Sequence, residues 1–263
     1  MSFTVNAPES SFTLDLAGAA VAVPRLELSP IDAFYEDRKR SLALASSPIL
    51  NTDEMRALAL IPVFAGAEMY FRRFIARAIE VCPLCEEIAG TQQIALGAFA
   101  ALGKSEMSFA IAEHQGFTSE GEIPRRTNKV LGIDLNRSSS VRAAVADFES
   151  LCHLRHAIVH CGGDLMYLNR RQLGITEVGR LQVRVDVAAF QGVILKVSNL
   201  VRSYNSHVGL ELAKRWFREG HVGASWQKDR VKFKKLIDAL WSSTDMSTLP
   251  DYKVLYLEAG PSV

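Results

Sequence analysis

No stretch of the chain approaches the ~18 consecutive apolar residues needed to cross a bilayer, so no membrane-spanning segment is expected. Met1 to Glu9 lacks the basic-then-apolar layout of a secretory leader, which makes the cytoplasm the expected compartment. Charge of one sign is also missing: 30 Lys and Arg stand against 29 Asp and Glu, a formal net charge of +1. A globally basic nucleic-acid binder is thereby excluded, and any RNA contact must come from local patches. Familiar catalytic signatures are absent. There is no glycine-rich phosphate loop ending in Lys-Ser or Lys-Thr, no dinucleotide fingerprint, no His-Glu-x-x-His and no Gly-x-Ser-x-Gly. Internal repeats, low-complexity segments and linkers that would force separate domains are missing as well.

Cysteine is sparse, with Cys82, Cys85, Cys152 and Cys161. Cys82-Pro-Leu-Cys85 is the one pair with metal or redox spacing. A zinc site would need two further ligands, for which Cys152, His153 and Cys161 are the candidates. A redox reading of the thioredoxin kind needs a preceding strand, and the residues before Cys82 read as helix. Reduced thiols at a helix end are the simpler account. No metal ligand set and no cofactor are assigned.

What is present is apolar patterning at helical period. Hydrophobic residues make up 48% of the chain and mean hydropathy is +0.08, which indicates a sizeable core. At 263 residues the length suits one large domain, or one with extensions. Phe12–Leu16 and Val21–Leu28 alternate around Gly18, which predicts a β-hairpin or extended arm, with Pro24 confining it to an edge. Pro30–Ala45 reads as helix. Asn51 and Glu54 mark another helix start, and Pro62 predicts a kink or break. From Val63 to Val81 one stripe holds Phe64, Ala67, Phe71, Phe74, Ile75 and Ala78, with Glu68 among them. That carboxylate either pairs with Arg72 at i+4 or meets an arginine on another helix.

Thr91–His114 reads as one Ala-rich helix, followed by a polar loop over Gly116–Pro124. Arg125, Arg126 and Lys129 then form a short basic cluster and a candidate RNA contact. After residue 164, Leu173–Ile175 and Leu181–Val185 flank Glu177–Arg180 as a predicted hairpin, and Val187–Val208 returns to helix. Tyr252–Leu257 reads as a short closing strand.

The candidate chemistry sits at Arg155-His-Ala-Ile-Val-His160, followed by Cys161-Gly-Gly. Ser138–Ser140 caps the helix leading into it. On a helical projection Val145, Phe148, Leu151, Cys152 and Val159 fall within an arc of about 120°. Arg155 lies inside that arc, and His156 and His160 share its edge. A guanidinium on an apolar face is costly unless it is paired or faces an anion. The glycine pair supplies the left-handed position that ends a helix, whose C-terminus favours protonated His.

The motif resembles that of the HEPN superfamily of α-helical ribonucleases and nucleotide-binding domains, and its stand-alone toxin and defence members in particular. Arg155 and His160 match the invariant pair, His156 stands in the polar position usually held by Asn, and the glycines follow as in the common form. The resemblance covers roughly 51–207. It implies a mainly α fold, an antiparallel helical bundle, here with small β-hairpins at the N-terminus and after the motif helix. An arm over 1–50 and a helical extension over 208–263 would pack on it. It also implies an RNA substrate, catalysis by Arg155 and His160 with His156 and Glu68 supporting, a homodimer with a composite cleft, and an antitoxin or other regulator. An acidic residue on the preceding helix is common in the family, which points Glu68 toward Arg155.

The chemistry of the residues fits that reading. The RNA 2′-hydroxyl supplies the nucleophile, an imidazole titrating near neutrality moves the protons, and a guanidinium binds the scissile phosphate. Two other readings stay open: a non-catalytic module binding RNA, a nucleotide or a protein, and a structural domain in which Arg155 bridges helices. The C-terminal quarter adds a second ambiguity. Lys214–Lys235 carries eight Lys or Arg against two acids, a net +6, interleaved with Trp216, Phe217, Trp226 and Phe233. Lys232, Lys234 and Lys235 could meet phosphates while the aromatics stack on bases. Alternatively the aromatics are core and the cations a wet face.

Overall fold

The computed structural model describes residues 17–21, 27–45, 51–102, 106–113, 115–223, 225–246 and 248–260. Among these the protein is all α-helix and turn, with no strand. The helices are α1 (Pro30–Ala45), α2 (Asp53–Val81), α3 (Pro83–Gly90), α4 (Leu96–Leu102), α5 (Met107–Glu113), α6 (Glu122–Leu131), α7 (Ser139–His160), α8 (Tyr167–Gln172), α9 (Val187–Arg218), α10 (Trp226–Leu240) and α11 (Tyr252–Ala259).

The fold is built around α2, which packs against α1, α3, α5, α6, α7, α9 and α10. Its stripe of Phe64, Ala67, Phe71, Phe74, Ile75 and Ala78 is fully buried. Tyr70, Phe71 and Phe74 meet Tyr204 of α9 edge-on, the preferred geometry for aromatic pairs. The Tyr204 hydroxyl is not stranded there, because it lies 2.9 Å from Thr127 Oγ1 of α6. Thr52 caps α2 by accepting from the Met55 N–H at 3.2 Å, one residue later than the Asn51 start read from sequence. Asn51 instead accepts from Arg56, a buried arginine that also donates to the Val185 carbonyl.

Of the kink or break expected at Pro62, the break is absent: α2 is continuous over 29 residues. Pro62 and Leu58, whose carbonyl loses its partner, both lie on the solvent side, where water replaces the missing bond. The helix ends at Cys82, extended as the residue before a proline must be, and Pro83 opens α3.

Of the two predicted β-additions, the second needs correction. The N-terminal hairpin falls largely outside the described residues, and Ala17–Ala19 form a single 3-10 turn. The hairpin expected between Leu173–Ile175 and Leu181–Val185 does not form; the region instead holds one antiparallel bridge, between Asp164 and Gln182. Leu165 N–H donates to the Leu181 carbonyl and Val183 N–H to the Gly163 carbonyl, both at 2.8 Å. The chain between them coils into α8 rather than pairing. The expected closing strand is α11: Asp251 caps it, and Tyr256 and Ala259, three apart, face inward. The single helix expected over Thr91–His114 is α4 and α5, with 103–105 and 114 outside the described residues.

A single hydrophobic core runs from Ile31 of α1 to Ala259 of α11. The 207/208 division falls inside α9, a continuous helix of 32 residues. The first and last helical regions are stitched together at Asp32. Burial opposes its ionisation, but hydrogen bonds from Ser243, Thr244 and Ser242 outweigh that and hold its carboxyl below the usual range.

Candidate active site

The motif helix ends as its sequence requires. Ser138 Oγ accepts from the Val141 N–H at 3.3 Å at one end. At the other, Gly162 (φ 61) and Gly163 (φ 88) take left-handed conformations, and the Gly163 N–H returns to the Ala157 carbonyl at 2.9 Å. α7 packs on α2, α8 and α9, and this places its last turns beside a cleft of about 540 Å³. The cleft is lined by Thr118–Glu120 of the loop before α6, by Glu149, Cys152, His153, Arg155 and His156 of α7, and by Leu168, Asn169 and Gln172 of α8.

Arg155 keeps 27% of its side chain exposed, and Glu68 on α2 keeps 13%. Their closest approach is 3.9 Å, from Nη2 to Oε1. The other carboxylate oxygen of Glu68 accepts from Arg72 at 3.3 Å, and Arg72 also donates to the Gln115 carbonyl at 3.0 Å. Both partners read from the sequence therefore share one carboxylate. The bond to Arg72 is the shorter, and Arg155 Nε has no protein acceptor. Arg155 is anchored on one side by charge and open to the cleft on the other.

His156 and His160 are exposed, with ring centroids 5.0 Å apart. His156 lines the cleft; His160, one turn on, lies outside its lining. A single chain thus brings Arg155 and His156 together but leaves His160 on the adjoining surface. At the end of α7 and the start of α8, Val159, Met166, Tyr167 and Leu168 are exposed apolar side chains.

Four cleft residues were not singled out from sequence as part of this site. Burial pushes the Glu149 carboxyl up, against a hydrogen bond from the Gly121 N–H at 2.7 Å, and the nearby Glu120 charge adds to the rise. Burial also raises the Cys152 thiol, to about 12, so it stays protonated at neutral pH despite the Arg155 charge. Asn169 is 95% buried with an unpartnered Nδ2. His153 lies one turn after Glu149. Only the helical spacing of Glu149, Cys152, His153 and His156 was visible in sequence. Nothing in Tyr167–Gln172 marks Asn169, because α8 exists only through its packing on α7.

The two proposed basic patches differ from the cleft. Arg125 donates to Glu122 through Nε and Nη2, and Arg126 lies 2.6 Å from the same carboxylate. Glu122 is held below its usual range, chiefly by the Arg125 hydrogen bond. Lys129 is exposed. On α10, Lys232 donates to the His221 carbonyl, Lys234 sits 4.5 Å over the Tyr252 ring, and Lys235 is exposed. The interleaved aromatics are mostly turned inward: Phe217, Trp226, Phe233 and Tyr256 pack edge to face, with Phe233 and Tyr256 buried and Phe217 and Trp226 partly buried against the core. Trp216 and Arg215 are buried as well.

Among the described residues no group of three or more His, Cys, Asp or Glu is placed to hold a metal, so Cys152, His153 and Cys161 do not complete a set with Cys82 and Cys85. No described helix is long and apolar enough to cross a membrane. Comparisons of the chain with protein-family models, curated proteins and solved structures give no match.

Proposed function

We propose that the chain is a metal-independent endoribonuclease of the HEPN kind, cutting RNA by attack of its own 2′-hydroxyl and serving as a toxin or antiviral defence effector under the control of an antitoxin or similar regulator. The observation that carries this reading is Arg155. Its guanidinium is half-anchored by Glu68, and the partly exposed side chain lines a cleft beside an exposed pair of imidazoles.

In this reading Arg155 binds the scissile phosphate and stabilises charge on its non-bridging oxygens. One imidazole takes the 2′-hydroxyl proton and another protonates the leaving 5′-oxygen, giving a 2′,3′-cyclic phosphate and a 5′-hydroxyl. His156 and Arg155 supply the cleft side. His160, on the adjoining surface, serves a cleft formed with a second copy, and the exposed Val159, Met166, Tyr167 and Leu168 give that copy an apolar seat. Protonation of Glu149 on binding would limit its repulsion of phosphate.

The test is total RNA incubated in EDTA with the native chain. Fragments ending in cyclic phosphate are expected, and His160→Ala or Arg155→Ala chains with an unchanged melting temperature should yield none. Intact RNA from folded wild-type protein overturns the reading. A second reading has its own support: Glu120 and Glu149 share the cleft with Arg155, and Glu68 already offsets part of its charge. A module that binds RNA, a nucleotide or a protein without cutting fits that balance, and bound but uncut RNA would select it.

A further inference from the structure

Arg215 poses a charge problem unlike that of Arg155. It is only 8% exposed, in the last turn of α9. Its Nη1 donates to the Leu131 carbonyl at the end of α6, its Nε is unpartnered, and no carboxylate pairs with it among the described ion pairs. What it faces instead is sulfur. Nη2 lies 3.0 Å from Cys85 Sγ and 3.8 Å from Cys82 Sγ. Trp216, the next residue, points its indole N–H at Cys82 Sγ at 3.0 Å. Both thiols are fully buried.

The backbone adds to this. Cys82 is the N-cap of α3, and the Cys85 and Glu86 N–H groups turn back to its carbonyl at 2.9 and 3.0 Å. The cysteines therefore occupy the N-cap and third positions of an eight-residue helix, the end whose free N–H groups favour an anion. A buried guanidinium without a counter-ion is strongly disfavoured, and a thiolate at this point removes the problem. The two thiols hydrogen-bond to each other, and the bond from Cys85 is the largest influence drawing Cys82 down. The same bond, with burial, pushes Cys85 up. Arg215 Nη2 lies nearer Cys85 Sγ and the Trp216 indole N–H points at Cys82 Sγ, so the two sulfurs share one charge opposite the guanidinium.

We propose that Cys82 and Cys85 are a redox site, in which the Cys82 thiolate held by Arg215 and Trp216 attacks a peroxide and Cys85 then closes a disulfide. In the first step the Cys82 sulfur takes the terminal oxygen of hydrogen peroxide. The O–O bond breaks, hydroxide leaves, and a sulfenic acid forms. In the second step Cys85 sulfur attacks Cys82 sulfur. The S–S bond forms, the S–O bond breaks, and the departing hydroxide leaves as water with the Cys85 proton. Two thiol sulfurs lose two electrons and the peroxide gains them. Cys152, a protonated thiol in the other cleft, and the more exposed Cys161 serve as internal references.

The experiment treats the native full-length protein with hydrogen peroxide, unfolds it, alkylates the remaining thiols and maps them by mass spectrometry. A Cys82–Cys85 disulfide, reversed by dithiothreitol, is expected. In Cys85→Ser the reaction should stop at a sulfenic acid on Cys82, trapped by dimedone. Arg215→Gln, where it folds, should slow disulfide formation roughly tenfold by raising the thiol. If Cys82 and Cys85 both remain alkylatable when Cys161 has been oxidised, or if Cys85→Ser leaves Cys82 unmodified, the proposal is overturned. Those two outcomes do not depend on Arg215→Gln folding.

Discussion

Arg155 and Arg215 are both guanidiniums set among the apolar side chains of long helices, and they are held in opposite ways. Arg155 sits near the end of α7 with a carboxylate 3.9 Å away and about a quarter of its side chain in solvent. Arg215 is sealed between α3, α6 and α9 with a carbonyl and two sulfurs. The first arrangement leaves charge available to a ligand. The second uses charge to hold three closely packed helices together. At Gly132 (φ 67), which ends α6, an added Cβ would lie 2.8 Å from Ile88 Cδ1 and 3.1 Å from Arg215 Nη1. Exposure, not the apolar helical face on which each arginine sits, separates a candidate ligand-binding arginine from a structural one.

Substitution should split the two cleanly. Arg215→Ala removes the counter-charge of a buried thiolate and strands the Leu131 carbonyl, and is expected to cost about 3–5 kcal/mol in denaturant midpoint at constant slope. A loss below about 1 kcal/mol would mean that the sulfurs are neutral and the contact incidental. Arg155→Ala should do the reverse. RNA cleavage should fall by about 10²–10³-fold, the scale of one lost transition-state donor, while the midpoint moves little. An equal loss of stability and activity would reduce Arg155 to a bridge between α2 and α7.

Glu68 probes the anchor of the open site. It is mostly buried, but its two arginine partners remain partly solvated, so Glu68→Ala should cost about 1–3 kcal/mol, less than a sealed pair. A cost as large as that of Arg215→Ala would erase the contrast between the regions. Glu149 gives a pH signature. Burial raises its carboxyl, so the stability it contributes is present below the unfolded carboxylate range and is lost as pH rises through the raised value. Glu149→Gln should flatten that part of the pH–stability curve and strengthen RNA binding at neutral pH; an unchanged curve would show the group to be solvated. The smallest effect is expected from the basic quarter. Replacing Lys232, Lys234 and Lys235 with Glu should leave cleavage within about twofold, because their aromatic neighbours pack largely on one another and on the core. A flattened salt dependence of RNA binding would restore α10 as a guiding surface.

Much of this was determined by the sequence alone, and the reason is periodicity. The stripe on α2 from Phe64 to Ala78 and the inner face of α9 announce their burial by spacing, since only a helix brings those residues to one side. The Ser138 cap and the Gly162–Gly163 stop bound α7 through local backbone chemistry that no partner is needed to complete. The same spacing placed Arg155 on an apolar face and His156 beside His160. Where spacing was short, it misled: Tyr252–Leu257 alternates like a strand over six residues, yet Asp251 caps it as a helix. Pro62 promised a break that water on the solvent side of α2 makes unnecessary. Tertiary structure alone decided which charges were buried and with whom. Arg215 looked like one cation in a basic run because a sequence gives its neighbours along the chain, while its partners Leu131, Cys82 and Cys85 lie some 84 to 133 residues away. Glu68 is shared between Arg72, four residues on, and Arg155 across the packed helices, and only the approach of α7 to α2 sets that division. The cleft itself, with Asn169 and Glu149 on its walls, exists because α8 folds back on α7, a packing choice that local propensity in six residues is too weak to dictate.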